Sequence, residues 1–451
     1  GLPSDLLNGM WADPPAPFTD VVHEVAEEYV ANPPGTVLSY SNVGVTLLGH
    51  AIQNVSGQAF ATHMQEMLLR PLGMNDSYFA TALSPGPQVS KSYRNGEEEP
   101  EAPLRDIPAG GLNTNVLDLG RFMMMIFADG RAGSQMILQP ATLAETLEPQ
   151  NEHVALDFDL RVGLGWFYSG AVQNGGPVLG HDGSTGKFNS SLLMLPKHEL
   201  GVVVLANSAW ASAAVDLIAT ETLQHALEAK TGIVQPRGTK QATEPATVAD
   251  LSAFAGHYVT PLGLAQVTDK GQHLDVEIDG KTFQLIPRSD GRLRLSKRAL
   301  GLIPLRLGRL GRAGLSRAVV GGREVLTARF GGKDTLLGEK IKPVPVSPVW
   351  RARAGEYEIT NLRSAGFTPE KIEVYYEEDG FMIVVFDMAE YGDRAAIPIA
   401  PVTDTEAIIL GLGRGKGETI SVVSTADGEV MRYSGFLLKK KEQAAKDGGR
   451  D

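Results

Sequence analysis

Pro34-Gly35-Thr36-Val37-Leu38-Ser39-Tyr40-Ser41-Asn42 is the stretch that decides how the first part of this chain folds. A Pro-Gly turn leads into a short extended run, and apolar residues at helical spacing follow from Val43 to Val55, where Ser56-Gly57 marks a stop. The stretch therefore predicts a corner from an extended segment into a helix that begins directly after Asn42. Such a corner exposes side chains, and it presents Tyr40 and Asn42 as candidate functional residues.

Tyr40 and Asn42 have the chemistry of a proton acceptor and an orienting amide. A phenol near an ammonium loses its proton more readily than a free phenol with a pKa of about 10, and it can then act as general base. Asn42 could orient both this base and a substrate carbonyl. A tyrosine with a neighbouring Asn cap is more often structural, so the tripeptide alone does not establish a site.

A second motif, Gly180-His181-Asp182-Gly183-Ser184-Thr185-Gly186, places a histidine among small residues at the end of a predicted strand. Small residues would let a substrate lie along this edge, where the backbone of Gly183 and the N–H of Ser184 could hold an oxyanion. His181 would be a polar or cationic group beside the acyl site. A hairpin turn with a surface histidine has the same pattern. No metal site is predicted, because no second ligand stands at ligand spacing.

Two further helices and a hairpin are predicted in the first 230 residues. Apolar spacing favours helices from Leu112 to Ala128 and from about Ser212 to Lys230. Asn189 to Leu195 and Gly201 to Ala206 are apolar runs on either side of a polar turn, which is typical of an antiparallel hairpin. This region is therefore expected to combine helices with an antiparallel sheet.

The pattern changes after residue 230. Short strands separated by Asp-Gly and Gly-Gly turns are typical of an all-β region. A weak repeat supports two similar units, because Phe254-Ala-Gly-His-Tyr258 recurs as Arg353-Ala-Gly-Glu-Tyr357, 99 residues later. The predicted order is a first domain (1–230), a Pro-, Gly- and Thr-rich linker (231–248), two β-barrels (249–345 and 346–438) and a charged tail (439–451).

Composition narrows the function classes. The chain has 451 residues and no cysteine, which excludes disulfides, thiolate metal sites and cysteine nucleophiles. No apolar run approaches the roughly 18 to 20 residues of a membrane span, and the first residues lack the pattern of a signal peptide. The compartment stays open, with a periplasmic or secreted location slightly favoured over the cytoplasm.

Charge is unevenly distributed. Residues 1–228 hold 9 Lys and Arg against 25 Asp and Glu, whereas ten Arg or Lys lie between Arg288 and Arg323. Such a basic stripe could bind nucleic acid, but a solvated sheet face, or a face docked on the acidic first domain, is favoured. No nucleic-acid partner is therefore predicted.

The pairing of Tyr40-Ser41-Asn42 with His181-Asp182-Gly183 resembles the class C β-lactamase and penicillin-binding-protein superfamily, in its esterase, D-aminopeptidase and D-Ala-D-Ala carboxypeptidase branch. The resemblance covers residues 1 to about 228. It implies an α+β, β-lactamase-like transpeptidase fold, an antiparallel sheet with helices, followed by two appended β-barrels. The other stretches that carry it are Gly1-Leu2-Pro3, Arg70-Pro-Leu-Gly-Met-Asn-Asp-Ser77, Pro108-Ala-Gly-Gly-Leu112, Asp118-Leu-Gly-Arg-Phe122 and Gly163-Leu-Gly-Trp166.

The resemblance also implies residue roles. Tyr40 takes the general-base position and Asn42 the third motif position, and His181-Asp182-Gly183 replaces the Lys-Thr-Gly of true β-lactamases. A histidine there is usual in the esterases and peptidases of the group, which argues against penicillin hydrolysis as the main activity. Gly183 and Ser184 would lie at the oxyanion strand.

The nucleophile is expected to lie outside this chain. The family places a Ser-x-x-Lys stretch before its Gly-Leu-Pro, and here Gly1-Leu2-Pro3 opens the sequence. The single Ser-x-x-Lys match, Ser184-Thr185-Gly186-Lys187, is not expected to open a helix, because it contains Gly186 and follows Gly183. The family usually has glycine where Lys187 stands.

The expected function is a serine hydrolase of amide or ester bonds that works through an acyl-enzyme, without cofactor or metal. Its substrate would be a small peptide, amide or ester, and a missing N-terminal segment would be needed to complete the domain. The chain alone is expected to be inactive and prone to aggregate. Two alternatives stay open, a non-catalytic protein that binds peptides or peptidoglycan fragments, and an inactive fragment. The oligomeric state is not predicted.

Overall fold

The fold is described from a computed structural model, which describes residues 1–82, 89–236, 250–299, 303–305, 313–363, 368–388, 393–426 and 428–442. Its helices are α1 (Val21–Val25), α2 (Asn42–Ser56), α3 (Phe60–Met64), α4 (Ile107–Gly110), α5 (Val116–Phe127), α6 (Pro140–Leu147), α7 (Ser212–Thr231) and α8 (Pro348–Ala352).

The strands of the N-terminal region, residues 1–236, are β1 (Tyr78–Phe79), β2 (Tyr93–Arg94), β3 (Glu97–Glu98), β4 (Leu112–Asn113), β5 (Arg131–Ala132), β6 (Gln135–Met136), β7 (Phe167–Ser169), β8 (Val178–Ser184), β9 (Asn189–Leu195) and β10 (Leu200–Ala206). The last four form an antiparallel sheet in the order β10-β9-β8-β7. The hairpin predicted from the two apolar runs is confirmed as β9 and β10.

Helices cover both faces of this sheet. On one face, Leu223 and Leu227 of α7 pack with Leu193 and Leu195. On the other face, α5 packs through Met123, Met125 and Ile126 against Leu192 and Met194. Strand β9 is therefore buried on both sides, whereas the end of β8, from Asp182 to Ser184, is exposed. The arrangement therefore leaves the end of β8, from Asp182 to Ser184, at the surface of a sheet that is packed on both faces.

Local chemistry fixes where the two predicted helices begin. The side chain of Ser41 accepts a hydrogen bond from the Gly44 N–H at 2.8 Å, so α2 begins at Asn42, and Gly57 ends it with a φ of 67°. The prediction that the next helix begins at Leu112 is wrong. Leu112 pairs with β1, and α5 begins only after Asn115, whose side chain accepts from the Leu117 and Asp118 N–H groups.

Barrel 1 consists of β11 (Gly256–Thr260), β12 (Gly263–Asp269), β13 (Leu274–Ile278), β14 (Lys281–Pro287), β15 (Leu293–Ala299), β17 (Gly314–Val320), β18 (Arg323–Phe330) and β19 (Lys333–Ile341), with the short β16 (Ile303–Leu305) paired to β15. Pairing of β14 with β15, and of β11 with β19, closes the sheet.

Barrel 2 is closed by eight antiparallel strands, β20 (Gly355–Ile359), β21 (Lys371–Tyr376), β22 (Met382–Met388), β23 (Asp393–Pro401), β24 (Glu406–Ile409), β25 (Thr419–Thr425), β26 (Gly428–Tyr433) and β27 (Phe436–Lys440). The predicted start of the charged tail at residue 439 is wrong, because Lys439 and Lys440 lie in β27 and pair with Glu358 and Tyr357. The rest of the predicted tail from 443, and most of the predicted linker, lie outside the described residues.

The two barrels touch through outward-facing apolar side chains. Phe381, Ile383 and Val385 of barrel 2 are buried against Leu264 and Ile341 of barrel 1. The basic stripe does not form one free surface, since several of its described members pair within barrel 1. These pairs are Arg288 with Asp290, Arg292 with Asp334, Arg317 with Glu324, and Arg323 with Glu339.

Candidate active site

The corner that carries Tyr40 and Asn42 is held in place by the first residues of the chain. The Ser41 hydroxyl donates to the carbonyl of Pro3 at 2.6 Å, and the Asn42 N–H donates to the carbonyl of Ser4 at 2.9 Å. Because the same hydroxyl also caps α2, the extended segment and the helix are fixed to one another at this point. Tyr40 and Asn42 are therefore presented from a rigid bend.

A chain of polar contacts joins this corner to barrel 2. The Asn42 side-chain amide donates to Asp5 Oδ1 at 2.7 Å, and Arg414 pairs with Asp5 Oδ2 at 2.9 Å. The Arg414 guanidinium also lies over the Tyr40 ring, 5.1 Å from its centre. Arg414 belongs to residues 410–418, which connect β24 with β25. A barrel loop thus reaches the candidate site.

The sequence of this loop explains its shape. Gly411, Gly413, Gly415 and Gly417 alternate with Leu412, Arg414 and Lys416, and all four glycines have a positive φ, between 70° and 105°. Residues with a side chain rarely adopt this conformation. At Gly417 a Cβ atom would also lie 2.2 Å from the carbonyl oxygen of Ala31. Glycine suits the backbone conformation at all four positions, and at Gly417 it also allows the loop to lie close to the N-terminal region.

His181 faces Tyr40 from strand β8. The centres of the two rings are 6.2 Å apart, and Phe167 on β7 contacts both. His181 Nδ1 lies 2.7 Å from the carbonyl oxygen of Asp182, and since a carbonyl can only accept, Nδ1 carries the hydrogen. In the neutral ring, Nε2 is then left as the acceptor.

The glycines of the His181 motif are required by close packing. A Cβ atom at Gly180 would lie 2.5 Å from the Leu192 carbonyl oxygen, and one at Gly183 would lie 2.6 Å from the Ser190 hydroxyl. The Asp182 carboxylate accepts from the Ser191 hydroxyl at 2.7 Å. The motif therefore fixes the strand and presents the His181 ring to Tyr40.

Opposing effects act on the Tyr40 hydroxyl. Burial raises the pKa of Tyr40, the nearby Arg414 guanidinium lowers it, and the Asp5 carboxylate raises it. Burial is the largest of the three, so the pKa lies above its ordinary value. As the site stands, Tyr40 is a neutral phenol near pH 7, and a further positive charge would be needed to make it a base.

All five residues predicted from sequence line one cavity of about 1970 Å³, namely Tyr40, Asn42, His181, Gly183 and Ser184. Arg414 is the only Arg or Lys among the described residues of its wall. Glu101 adds an acidic group, and burial raises its pKa. Arg414, Asp5 and Glu101 are site residues that the sequence motifs do not indicate. The alternation of glycine with Arg414 and Lys416 at 413–417 is the one signal that could draw attention to Arg414.

The Ser184-Thr185-Gly186-Lys187 match does not form a nucleophile helix. It lies at the end of β8 and in the turn to β9, and Gly186 has a φ of 103°. The Lys187 ammonium donates to the Pro100 carbonyl at 2.7 Å and pairs with Glu99 at 2.7 Å. Lys187 therefore clamps the turn to residues 99–101 and is not positioned to activate Ser184.

The Beta-lactamase family model matches residues 1–226, which is half of the chain and contains every candidate residue except Arg414. The chain belongs to the beta-lactamase family. This chain is 27% identical to penicillin-binding protein 4 of Amycolatopsis lactamdurans over 254 residues, which are 54% of this chain and 64% of the relative. It is 26% identical to protein flp of Staphylococcus aureus (strain NCTC 8325 / PS 47) over 216 residues, 46% of this chain and 41% of the relative. It thus spans less than two thirds of either curated relative.

Among solved structures, the chain is similar to SurE with D-Leu, with 22% identity, a TM-score of 0.49, and coverage of 75% of this chain and 76% of that one. The octameric penicillin-binding protein homologue from Pyrococcus abyssi has 21% identity and a TM-score of 0.41, with 68% and 66% coverage. The expected family and the fold, a β-lactamase-like region followed by two closed barrels, are confirmed.

Two features are absent from the described part of the chain. Its helices include none with the length and apolar character needed to cross a membrane. Its His, Asp and Glu residues form no group of three that could hold a metal ion.

Proposed function

We propose that this chain is part of a serine hydrolase that cleaves amide or ester bonds through an acyl-enzyme. The observation that supports this most directly is that Tyr40 and His181 face one another across a single cavity, 6.2 Å between ring centres, with Asn42 in the same wall. Membership of the beta-lactamase family supports hydrolase chemistry at the level of the superfamily.

Each group has a proposed role. Tyr40 would take the proton from the nucleophile, Asn42 would orient the substrate carbonyl, and the Gly183-Ser184 backbone would donate to the acyl oxygen. His181 would offer Nε2 to the leaving group or to the substrate tail. The absence of lysine at position 181 favours peptidase or esterase substrates, such as short peptides with a D-residue, over penicillins.

The nucleophilic serine and its lysine would come from a segment outside this sequence. In the described residues, the one Ser-x-x-Lys match has its lysine engaged by Glu99 and Pro100. A lysine ammonium supplied beside Tyr40 would also provide the positive charge that the buried phenol needs.

Exposed apolar side chains mark a surface that such a segment could cover. Leu48, Ile52 and Val55 lie on one face of α2 and are exposed, Val55 to 91%. Leu117 and Met124 of α5 and Leu205 of the edge strand β10 are exposed as well. Exposed apolar side chains that lie together on one face of a helix, as those of α2 do, are typical of an interaction site.

A fluorophosphonate probe tests the proposal. The isolated 451-residue chain should not be labelled, at Ser184 or elsewhere, whereas the natural polypeptide that contains it should be labelled at one serine outside this sequence. In that polypeptide, Tyr40→Phe should slow acylation by roughly 10²- to 10⁴-fold. The exposed Tyr29→Phe is a matched control and should leave the rate unchanged. Labelling at Ser184 would contradict the assignment, and an unlabelled natural polypeptide would favour a binding protein.

A further inference from the structure

A second, smaller cavity lies where the N-terminal region and both barrels meet. This junction cavity has a volume of about 230 Å³, and its wall includes Leu38 and Leu160 of the N-terminal region, Leu336 of barrel 1, and Leu412 and Lys416 of barrel 2. Most of this wall is aliphatic. Because three separate parts of the chain build it, the cavity exists only in the assembled protein.

Lys416 is the charge in this wall that lacks a direct partner. Its ammonium makes no hydrogen bond or ion pair with any side chain or carbonyl in the parts of the chain that the structure describes. Burial lowers the pKa of Lys416, and the field of Glu418 opposes that shift only in part. Glu418 Oε1 is itself engaged, since it accepts from the N–H and the hydroxyl of Ser4, both at 2.7 Å.

The other two charged residues of the wall are already satisfied. Arg414 pairs with Asp5 on the side of the main cavity. Asp157 accepts from the Leu38 N–H and from the Asn151 amide, each at 2.6 Å, so both of its oxygens are occupied. A half-buried ammonium among leucines, with no direct counter-ion, is unfavourable unless an anion approaches it.

We propose that the junction cavity is a binding site for a small aliphatic carboxylate, whose head group pairs with Lys416 and whose body covers the leucines. The volume limits the ligand to about eight non-hydrogen atoms, at roughly 30 Å³ for each water-sized unit. The aliphatic wall excludes a strongly polar body. Leu412 lies two residues before Arg414, so an occupant would brace the loop that covers Tyr40.

Methyl NMR on the full chain, labelled at leucine methyl groups, tests this site with 4-methylpentanoate, which has about eight non-hydrogen atoms. Saturable shifts are expected at Leu38, Leu160, Leu336 and Leu412. The neutral 4-methylpentanamide should bind at least about tenfold more weakly, because its carbonyl can accept a hydrogen bond from the ammonium but cannot form an ion pair with it. This comparison uses the unmodified protein and does not depend on how a variant folds.

Two variants complete the test. Lys416→Met keeps the aliphatic stem and should weaken carboxylate binding at least about tenfold, whereas the exposed Lys371→Met, on the same barrel, should leave it unchanged. The proposal is overturned by an absence of saturable shifts, by equal binding of acid and amide, by unchanged binding in Lys416→Met, or by binding that weakens equally in Lys371→Met.

Discussion

The two barrels are built alike, but only one of them takes part in the candidate site. Gly256 and Gly355 stand at equivalent positions, and at each a Cβ atom would lie 2.7 Å from a lysine Cε, of Lys340 and Lys440 respectively. Those lysines donate to the equivalent carbonyls of Ala253 and Ala352. No described residue of barrel 1 lines the main cavity, whereas barrel 2 contributes Arg414. The two barrels thus share an architecture, and among the described residues only the loop at 410–418 of barrel 2 brings a barrel to the candidate site.

Barrel 2 is also tied more firmly to the N-terminal region. Asn8 donates to the carbonyls of Asn361 and Gly435, both at 3.0 Å, and Ser4 donates to Glu418. The residues that hold the Tyr40 corner are therefore neighbours of the residues that bind barrel 2. The comparison suggests that barrel 2 stabilises the site and that barrel 1 stabilises barrel 2.

The largest expected effect is a loss of stability at a core position that holds different residues in the two barrels. Trp350 is fully buried and donates to the Thr403 carbonyl at 2.6 Å, and the equivalent position in barrel 1 is Leu251, 8% exposed. Trp350→Ala should cost about 3–5 kcal/mol and Leu251→Ala about 2–3 kcal/mol. Hydrogen exchange followed by mass spectrometry should show lost protection in barrel 2 for the first variant and in barrel 1 for the second.

The Trp350 and Leu251 pair of variants also tests whether the barrels unfold separately. Only the Trp350 variant should raise exchange at residues 1–8, because these contact barrel 2. If either variant caused an equal loss of protection in both barrels, the two barrels would unfold as one cooperative unit. The expected difference in stability between them would then be wrong.

An intermediate effect is expected at the contact between barrel 2 and Tyr40. Since Arg414 lowers the pKa of Tyr40, Arg414→Gln should raise it further, and the phenol should ionise at higher pH. The titration can be followed by NMR of the Tyr40 ring carbon that bears the hydroxyl. Arg363→Gln is the matched control, because Arg363 is also on barrel 2, 51% exposed against 53% for Arg414, and pairs with Glu24. An unchanged Tyr40 titration in Arg414→Gln would contradict the proposed coupling.

The sequence was sufficient to predict those helices and strands whose patterns lie within a short stretch of the chain. The apolar spacing after Asn42 predicted α2, the two apolar runs predicted β9 and β10, and the repeat at 254 and 353 predicted a pair of barrels. The start of α5 was missed because apolar spacing continues back to Leu112, and the Asn115 cap outweighs that spacing.

The Arg414 contact could not be predicted for a different reason. The loop at 410–418 has no apolar period, and Arg414 meets Asp5 across 409 positions of the sequence. Tyr40, Asn42 and His181, by contrast, lie in compact motifs whose neighbours are small or turn-forming residues. Motifs predicted which residues line the cavity, and only the three-dimensional packing of barrel 2 revealed Arg414, the one Arg or Lys among the described residues of its wall.

The smallest expected effect concerns how the two barrels are joined. Arg394 of barrel 2 pairs with Asp279 of barrel 1, and the two side chains are 39% and 21% exposed. A pair with this exposure should contribute less than about 1 kcal/mol, and salt should weaken it further. Arg394→Gln should therefore lower the urea midpoint slightly at low salt and hardly at all in molar sodium chloride. Arg317→Gln, whose partner Glu324 lies in the same barrel, is the control for a general charge effect. If Arg394→Gln separated the barrels, the ion pair and not the apolar contact around Phe381 would hold them together.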